Sequence, residues 1–383
     1  ALEILGPNKK FHTYLYHDGN IKENILYGNL YLIGKGDPTL DVSDLYNMAY
    51  SVKALGVNKI KGNIIYDDSY LPKAEKINQI QPNRAIYNPG YSALMVNHNQ
   101  LYAKISEKHK THILIPEIDH VKITKSKART SDFHYKGKNI WSVNYRRAKI
   151  LNRLPIKDSS LFTAEAFGSL ISNLGIQYKK ITKINNSRNT ASHSNIEMIY
   201  HKRSKPLIDI VKSNLRYSNN LIAEIIALHV AKDLQCKVVD LQSSAQCIQN
   251  WYNKKFPYLD WNRNKWENNS GLSTVNLTSA AQIIELLKYA KDKRYAKQYL
   301  PSLMPISGMS GTLRKRFYEQ SMKIYAKTGN MYFVSNLAGY LIKDGRLHAF
   351  VIMINNKNMR QRIDDKAVTD IDSALFAKPA KRW

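Results

Sequence analysis

Lys327-Thr328-Gly329 places a cation, a hydroxyl and a bare backbone side by side in the run KIYAKTGNMY. The run has the residues of a β-strand and stands just before a second apolar run that ends in YLI. A solvated edge strand would account for a lone tripeptide of this kind. A second trio changes that reading. Ser218-Asn219-Asn220, within YSNNLIAE, falls at the junction of two helical patterns, where a tight turn can present side chains. The same serine could equally be a helix N-cap. The spacing alone carries little, because Ser142-x-Asn144 and Ser187-x-Asn189 repeat it. What sets Ser218 apart is its context.

The surrounding elements are mixed. ALEILGPNKKFHT reads as the last turn of a helix stopped by Gly6-Pro7. NLYLIGKGDPTL is a strand entering a turn, and residues 41–56 place Leu45, Met48, Ala49 and Val52 at helical spacing behind an acidic cap. KGNIIYDDSYL is another strand. From about residue 80 to 150 the pattern shifts to short strand-like runs, THILIPEI, HVKITKS and NIWSVNYR, with Lys- and Ser-rich loops between them. A helix at 163–174 ends at Gly175, and the polar stretch 185–195 reads as a boundary. Beyond it the chain is more helical, with helices at 206–218 and 219–233 and two more before the Lys-Thr-Gly run. That run opens three consecutive strands, and DKAVTDIDSALFAK reads as a closing helix. Consecutive strands between helices predict an antiparallel sheet covered by helices rather than a Rossmann alternation.

Composition narrows the classes. At 383 residues the chain exceeds one ordinary core, so two or three domains are expected. No apolar stretch reaches the length of a membrane span, and no leader opens the chain. The net charge of +28 raises the question of an anionic partner. The basic residues are scattered through a chain rich in Lys, Asn, Ile and Tyr, so no nucleic-acid partner is expected. Cys236 and Cys247, eleven positions apart, could bridge in an oxidising compartment or be two buried thiols. His109 and His112 read as a wet loop, neither cysteine has a zinc-finger spacing to histidine, and no metal or cofactor is expected.

The fragments LGPNKKF, LYGNLYLIGKGDPTL, LGVNKIKGNIIYDDS, LMVNHNQ, SNNLIAE, NSGLS, SGTLRKR and AKTGNM…SNLAGY occur in this order. Together they resemble the D-alanyl-D-alanine carboxypeptidase/endopeptidase family of low-molecular-mass, class C penicillin-binding proteins, peptidase family S13. The resemblance implies an α/β (α+β) transpeptidase domain like that of the serine β-lactamases, made from residues 1–22 and 196–383. It implies a second domain at 23–80 with 151–195, and a third at 81–150 inserted in the second. A domain inserted in this way is expected to carry its own core and to be removable. The implied activity is that of a serine D-Ala-D-Ala peptidase acting on peptidoglycan stem peptides through an acyl-enzyme, and acylated by β-lactam antibiotics. A periplasmic location follows, with a signal peptide ahead of this chain.

The resemblance also implies roles. Ser218 relays a proton to the leaving amine, and Asn220 hydrogen-bonds the substrate's penultimate peptide. Lys327 supplies fixed positive charge, Thr328 binds the substrate carboxylate, Gly329 admits substrate close to the strand, and Asn330 offers a backbone oxyanion donor. This chain departs from the family in four places. Asn330 stands where a Ser or Thr is usual. Asn268-Asn269 replaces Asp-Gly, and Thr274 replaces Arg. No Ser-x-x-Lys, the family's nucleophile motif, occurs anywhere in the 383 residues. Its nearest imitation is Thr124-Lys-Ser-Lys127. The resemblance puts the nucleophile just ahead of Ala1, with this chain beginning inside the active-site helix. A chain without a nucleophile has an alternative reading, as a non-enzymatic penicillin-binding-like protein that holds wall peptides or a protein partner.

Overall fold

Strand β1 (His12–Asp18) alternates strictly, burying Thr13, Leu15 and His17 on one face, the period-two signature of a half-buried strand. In the computed structural model, which describes residues 1–116, 118, 120–126, 132–184, 196–331 and 333–355, this strand belongs to the larger of two compact units. That unit comprises residues 10–205 and 220–244. β1 lies between β2 (Leu30–Gly34) and a strand far along the chain, Ile196–Arg203, antiparallel to both. Residues 10–22 and 196–205 therefore stand outside the smaller unit, contrary to the expected boundaries of the transpeptidase part.

The rest of that sheet follows from a parallel crossover. β2 leads into helix α1 (Val42–Ala54) and returns as β3 (Ile64–Asp67), parallel to β2. α1 forms where expected. Asp41 accepts from the Asp44 N–H, and Asp44 closes the capping box. Leu45, Met48, Ala49 and Val52 are all fully buried, and the three larger side chains are worth about 1.5–3 kcal/mol each when withdrawn from water.

Between residues 97 and 156 the chain builds two small sheets. β4 (Gln100–Ser106), β5 (Thr111–Ile115), β6 (Lys122–Lys125), β7 (Phe133–Gly137), β8 (Ile140–Val143) and β9 (Leu151–Pro155) pair in the orders β9-β4-β5 and β7-β8-β6. Helix α2 (Ser159–Asn173), capped by Asp158, then leads to β10 (Ile181–Lys183), parallel to β3. β11 (Ile196–Arg203) completes the five-stranded sheet β10-β3-β2-β1-β11.

Among the described residues, the core of the region 81–150 is continuous with that of its neighbours. Leu101, Ile105, Phe133, Trp141 and Val143 belong to the same cluster as Leu15, Leu32, Leu45 and Phe162. A cut at residue 150 would also strip β9 of its partner β4. Deleting 81–150 behind a short linker is therefore expected to abolish the cooperative thermal transition followed by circular dichroism. A retained sharp transition would restore the independent-domain reading.

Two helices follow in the chain, α3 (Leu207–Tyr217) and α4 (Asn220–Asp233). α4 falls in the larger unit. α3 belongs to the smaller one, which comprises residues 1–9, 206–219 and 245–383. Residues 1–5 make one helical turn, with Leu5 N–H donating to Ala1 O at 2.9 Å, and Gly6 leaves it at φ +80. The sheet of this unit is β12 (Ile324–Met331), β13 (Val334–Lys343) and β14 (Arg346–Asn355), a continuous antiparallel meander. Helix α5 (Ala280–Lys291) presents Leu287 to the buried Tyr340, with Leu215 of α3 packed alongside. The antiparallel sheet with helices against it is as expected. The closing helix, the 185–195 stretch and Lys127 of the Ser-x-x-Lys imitation lie outside the described residues. Among those described, no helix is long and apolar enough to cross a membrane, and neither cysteine is free, Cys236 and Cys247 both being disulfide-bonded.

Candidate active site

α3 ends in a turn that few residues adopt willingly. Ser218 sits in the left-handed region at φ 57, ψ 51, where a side chain costs about 1–2 kcal/mol. Asn214 holds the turn twice. Its carbonyl accepts from the Ser218 N–H at 2.8 Å, and its side-chain oxygen accepts from the Asn219 N–H at 3.0 Å. The exposed Ser218 hydroxyl is thereby carried at a fixed corner.

The segment SGMSGTLRKR touches both this turn and the strand that carries Lys327. Gly311, at φ +57, lies so close to α3 that a Cβ there would come within 2.8 Å of the Arg216 carbonyl oxygen. Just upstream, Pro305 O accepts from Ala326 N–H at 3.0 Å and Ser307 N–H donates to Ile324 O at 2.9 Å. The Ser307 hydroxyl accepts from Ile324 N–H at 3.1 Å. This pairing covers the outer edge of β12 only as far as Ala326. From Lys327 onward, no strand among the described residues pairs with that edge.

Across this arrangement the Lys327 ammonium donates to Ser218 Oγ at 2.8 Å and to the Thr328 carbonyl at 2.5 Å. Burial pushes its pKa down from 10.5 to about 8, and among the described residues no carboxylate offsets the cost. A desolvated ammonium without a counter-charge gains most from an arriving anion. The donor count also matters. Lys327 uses an N–H on Ser218 Oγ, which leaves the serine O–H free to be given away.

The remaining residues of the strand divide by face. Thr328 is only 7% exposed, on the face of Ile324, Ala326 and, opposite it, Leu337. Lys327 lies on the other face with Tyr325. Gly329 is exposed, and a Cβ added there would meet only the Asn336 Cβ, at 3.8 Å, an ordinary contact. Asn330 turns its side-chain oxygen to Ser335, whose hydroxyl donates at 3.0 Å. Asn220 opens α4 in the larger unit, where its amide donates to Tyr87 O at 3.0 Å. Among the residues predicted for the site, then, a side-chain hydrogen bond joins Ser218 to Lys327, while the Asn330 and Asn220 side chains are engaged elsewhere. Of the other Ser-x-Asn matches, Ser142 is buried in the β-rich region, 3% exposed. Sequence reasoning missed Asn214 and the role of Gly311. An Asn four residues before the serine was the one signal available for the first.

The model of the D-Ala-D-Ala carboxypeptidase 3 (S13) family matches residues 1–375. The chain belongs to this family. It is 24% identical over 372 residues to a D-alanyl-D-alanine carboxypeptidase DacB of Haemophilus influenzae, covering 90% of this chain and 76% of that protein. It is 23% identical over 378 residues to a D-alanyl-D-alanine carboxypeptidase of Actinomadura sp. R39, covering 89% of this chain and 68% of that one. The crystal structure of penicillin-binding protein 4 from H. influenzae shares the fold. Its TM-score is 0.82 at 22% identity, over 98% of this chain and 87% of that one. The S13 assignment makes this chain a serine D-Ala-D-Ala carboxypeptidase, a cell-wall-acting hydrolase.

Proposed function

We propose that Ser218 and Lys327 form the proton-relay part of a D-Ala-D-Ala peptidase site and that the open edge of β12 receives the substrate. The observation that carries this is the 2.8 Å contact between Lys327 Nζ and Ser218 Oγ, made beside a strand edge with which no strand among the described residues pairs. A stem peptide laid along that edge would bond through its main chain, as strand addition does, with its terminal carboxylate drawn to the Lys327 charge. The serine nucleophile of a Ser-x-x-Lys motif attacks the carbonyl carbon of the penultimate D-Ala. The proton of that nucleophile would go to the lysine of its own motif; as the C–N bond breaks, Ser218 would pass its proton to the leaving amine and recover one from the neighbouring ammonium, and water would later hydrolyse the ester. The backbone N–H of Asn330 is the proposed oxyanion donor. The Thr328 hydroxyl would contact substrate after exchanging its present surroundings for it. A solved relative from H. influenzae, penicillin-binding protein 4, is described in complex with a β-lactam, which supports β-lactams as acylating ligands here. A periplasmic setting is supported by the family's wall substrate and by the disulfide-bonded cysteines, since such bonds persist in oxidising compartments.

Gly329 supplies the test. The chain itself has room for a methyl group there, so only an approaching substrate would be obstructed. In a chain extended upstream to include the nucleophile, Gly329→Ala is expected to keep its melting temperature. Its penicillin acylation should slow by about a hundredfold, the usual cost of a misplacement of about an ångström. Unchanged acylation would remove substrate from this edge.

A further inference from the structure

The outer face of the sheet β9-β4-β5 is apolar and basic at once. Register places Arg153, Tyr102 and Ile115 in one cross-strand row and Leu151, Lys104 and Ile113 in the next. All six are exposed. Tyr102 is 40%, Ile113 58%, Ile115 47% and Leu151 52% open to solvent. Each row thus carries one cation between or beside two apolar side chains. The three strands contain no Asp or Glu. The opposite face is conventional, with Leu101, Ala103, Ile105, Leu114 and Leu154 in the core, so the pattern is not a register ambiguity.

We propose that this face docks on an anionic lipid bilayer. The sign of the partner comes from the charge. Residues 81–155 hold fourteen Lys and Arg against four Asp and Glu, and a surface of that sign concentrates on anionic headgroups. The apolar side chains argue for a bilayer rather than a purely polar acidic polymer. Branched aliphatic groups this exposed gain by entering the headgroup–acyl boundary, and the long Lys104 and Arg153 stems can lie along it with their charges at the phosphates. The face belongs to an antiparallel sheet, and its cations stand singly among apolar residues. A fluid lipid surface can match that spacing without complementary shape. This inference does not rest on the catalytic reading.

Co-sedimentation with vesicles tests it, using the 383-residue chain. Binding is expected to vesicles of phosphatidylcholine mixed with phosphatidylglycerol and not to phosphatidylcholine alone. Lys104→Glu with Arg153→Glu should lower partitioning at least ~30-fold. Lys343→Glu with Arg346→Glu changes the net charge equally at an exposed hairpin of the other unit and should leave partitioning nearly unchanged. Ile113→Thr, Ile115→Thr and Leu151→Thr together keep strand-compatible residues and should cost about tenfold or more. Circular dichroism checks that each variant is folded, and single Thr replacements serve if the triple variant is not. No binding to the mixed vesicles overturns the proposal and leaves the face to a protein partner. Equal loss from both charge-reversed pairs overturns it in favour of overall charge. Undiminished binding by the Thr variants overturns it as well.

Discussion

Lys327→Ala, made in a chain that includes the nucleophile, lowers the rate constant for penicillin acylation by about 100- to 1,000-fold, the scale of losing one preorganised electrostatic contact. The melting temperature does not fall with it. The folded pKa of Lys327, about 8, lies below the ordinary 10.5, so folding at neutral pH carries the cost of a desolvated charge that alanine removes. Between about pH 8 and 10.5 the unfolded chain binds a proton that the folded one has lost, so this residue's contribution to stability rises with pH across that window. It is least favourable below pH 8. Activity has the opposite dependence, because the cation is the useful form. In the unsubstituted enzyme, acylation at limiting penicillin should fall as pH climbs through about 8, since that regime reports the free enzyme. The limb should be missing in Lys327→Ala. If acylation instead rose through pH 8, Lys327 would be a base and the relay through Ser218 would need reassignment.

Fluorescent penicillin leaves the 383-residue chain unlabelled by intact mass. No Ser-x-x-Lys is present, and Ser218, the serine nearest the chemistry, has the wrong partner. Its neighbour Lys327 donates to it and is protonated at neutral pH, so it offers no lone pair to take the serine's proton. An unactivated hydroxyl is a weak nucleophile, and members of a catalytic unit removed singly cost several powers of ten, about 10⁴–10⁶ in a serine protease. A chain extended to the start of the gene is the comparison, and it should gain one penicillin mass. Labelling of the short chain would identify a nucleophile among residues 1–383. A gene with no Ser-x-x-Lys would turn the protein into a wall-peptide binder that keeps the family fold.

What the sequence settled was local or came from the family pattern. The α1 helix was legible because Asp41, Asp44 and the spacing of Leu45, Met48, Ala49 and Val52 act within one or two turns. The three strands of the meander were legible because each is an apolar run that begins within a few residues of the last. The order of eight motifs pointed to the S13 family, and the Lys-Thr-Gly and Ser-x-Asn residues with it. Tertiary structure decided the remainder, for reasons no window of sequence contains. β1 pairs with Ile196–Arg203, some 180 residues away, because the backbone N–H and C=O groups on both edges of a buried strand need partners. Residues 81–150 share the core of their neighbours, a matter of which apolar faces meet. Ser218 and Lys327 are 109 residues apart. Their contact exists because Asn214 fixes a left-handed turn and Gly311 lets a loop approach α3 while its upstream end pairs with β12. Propensity and capping act over a few residues, whereas the meeting of a hydroxyl and an ammonium across a fold depends on the packing of every element that carries them.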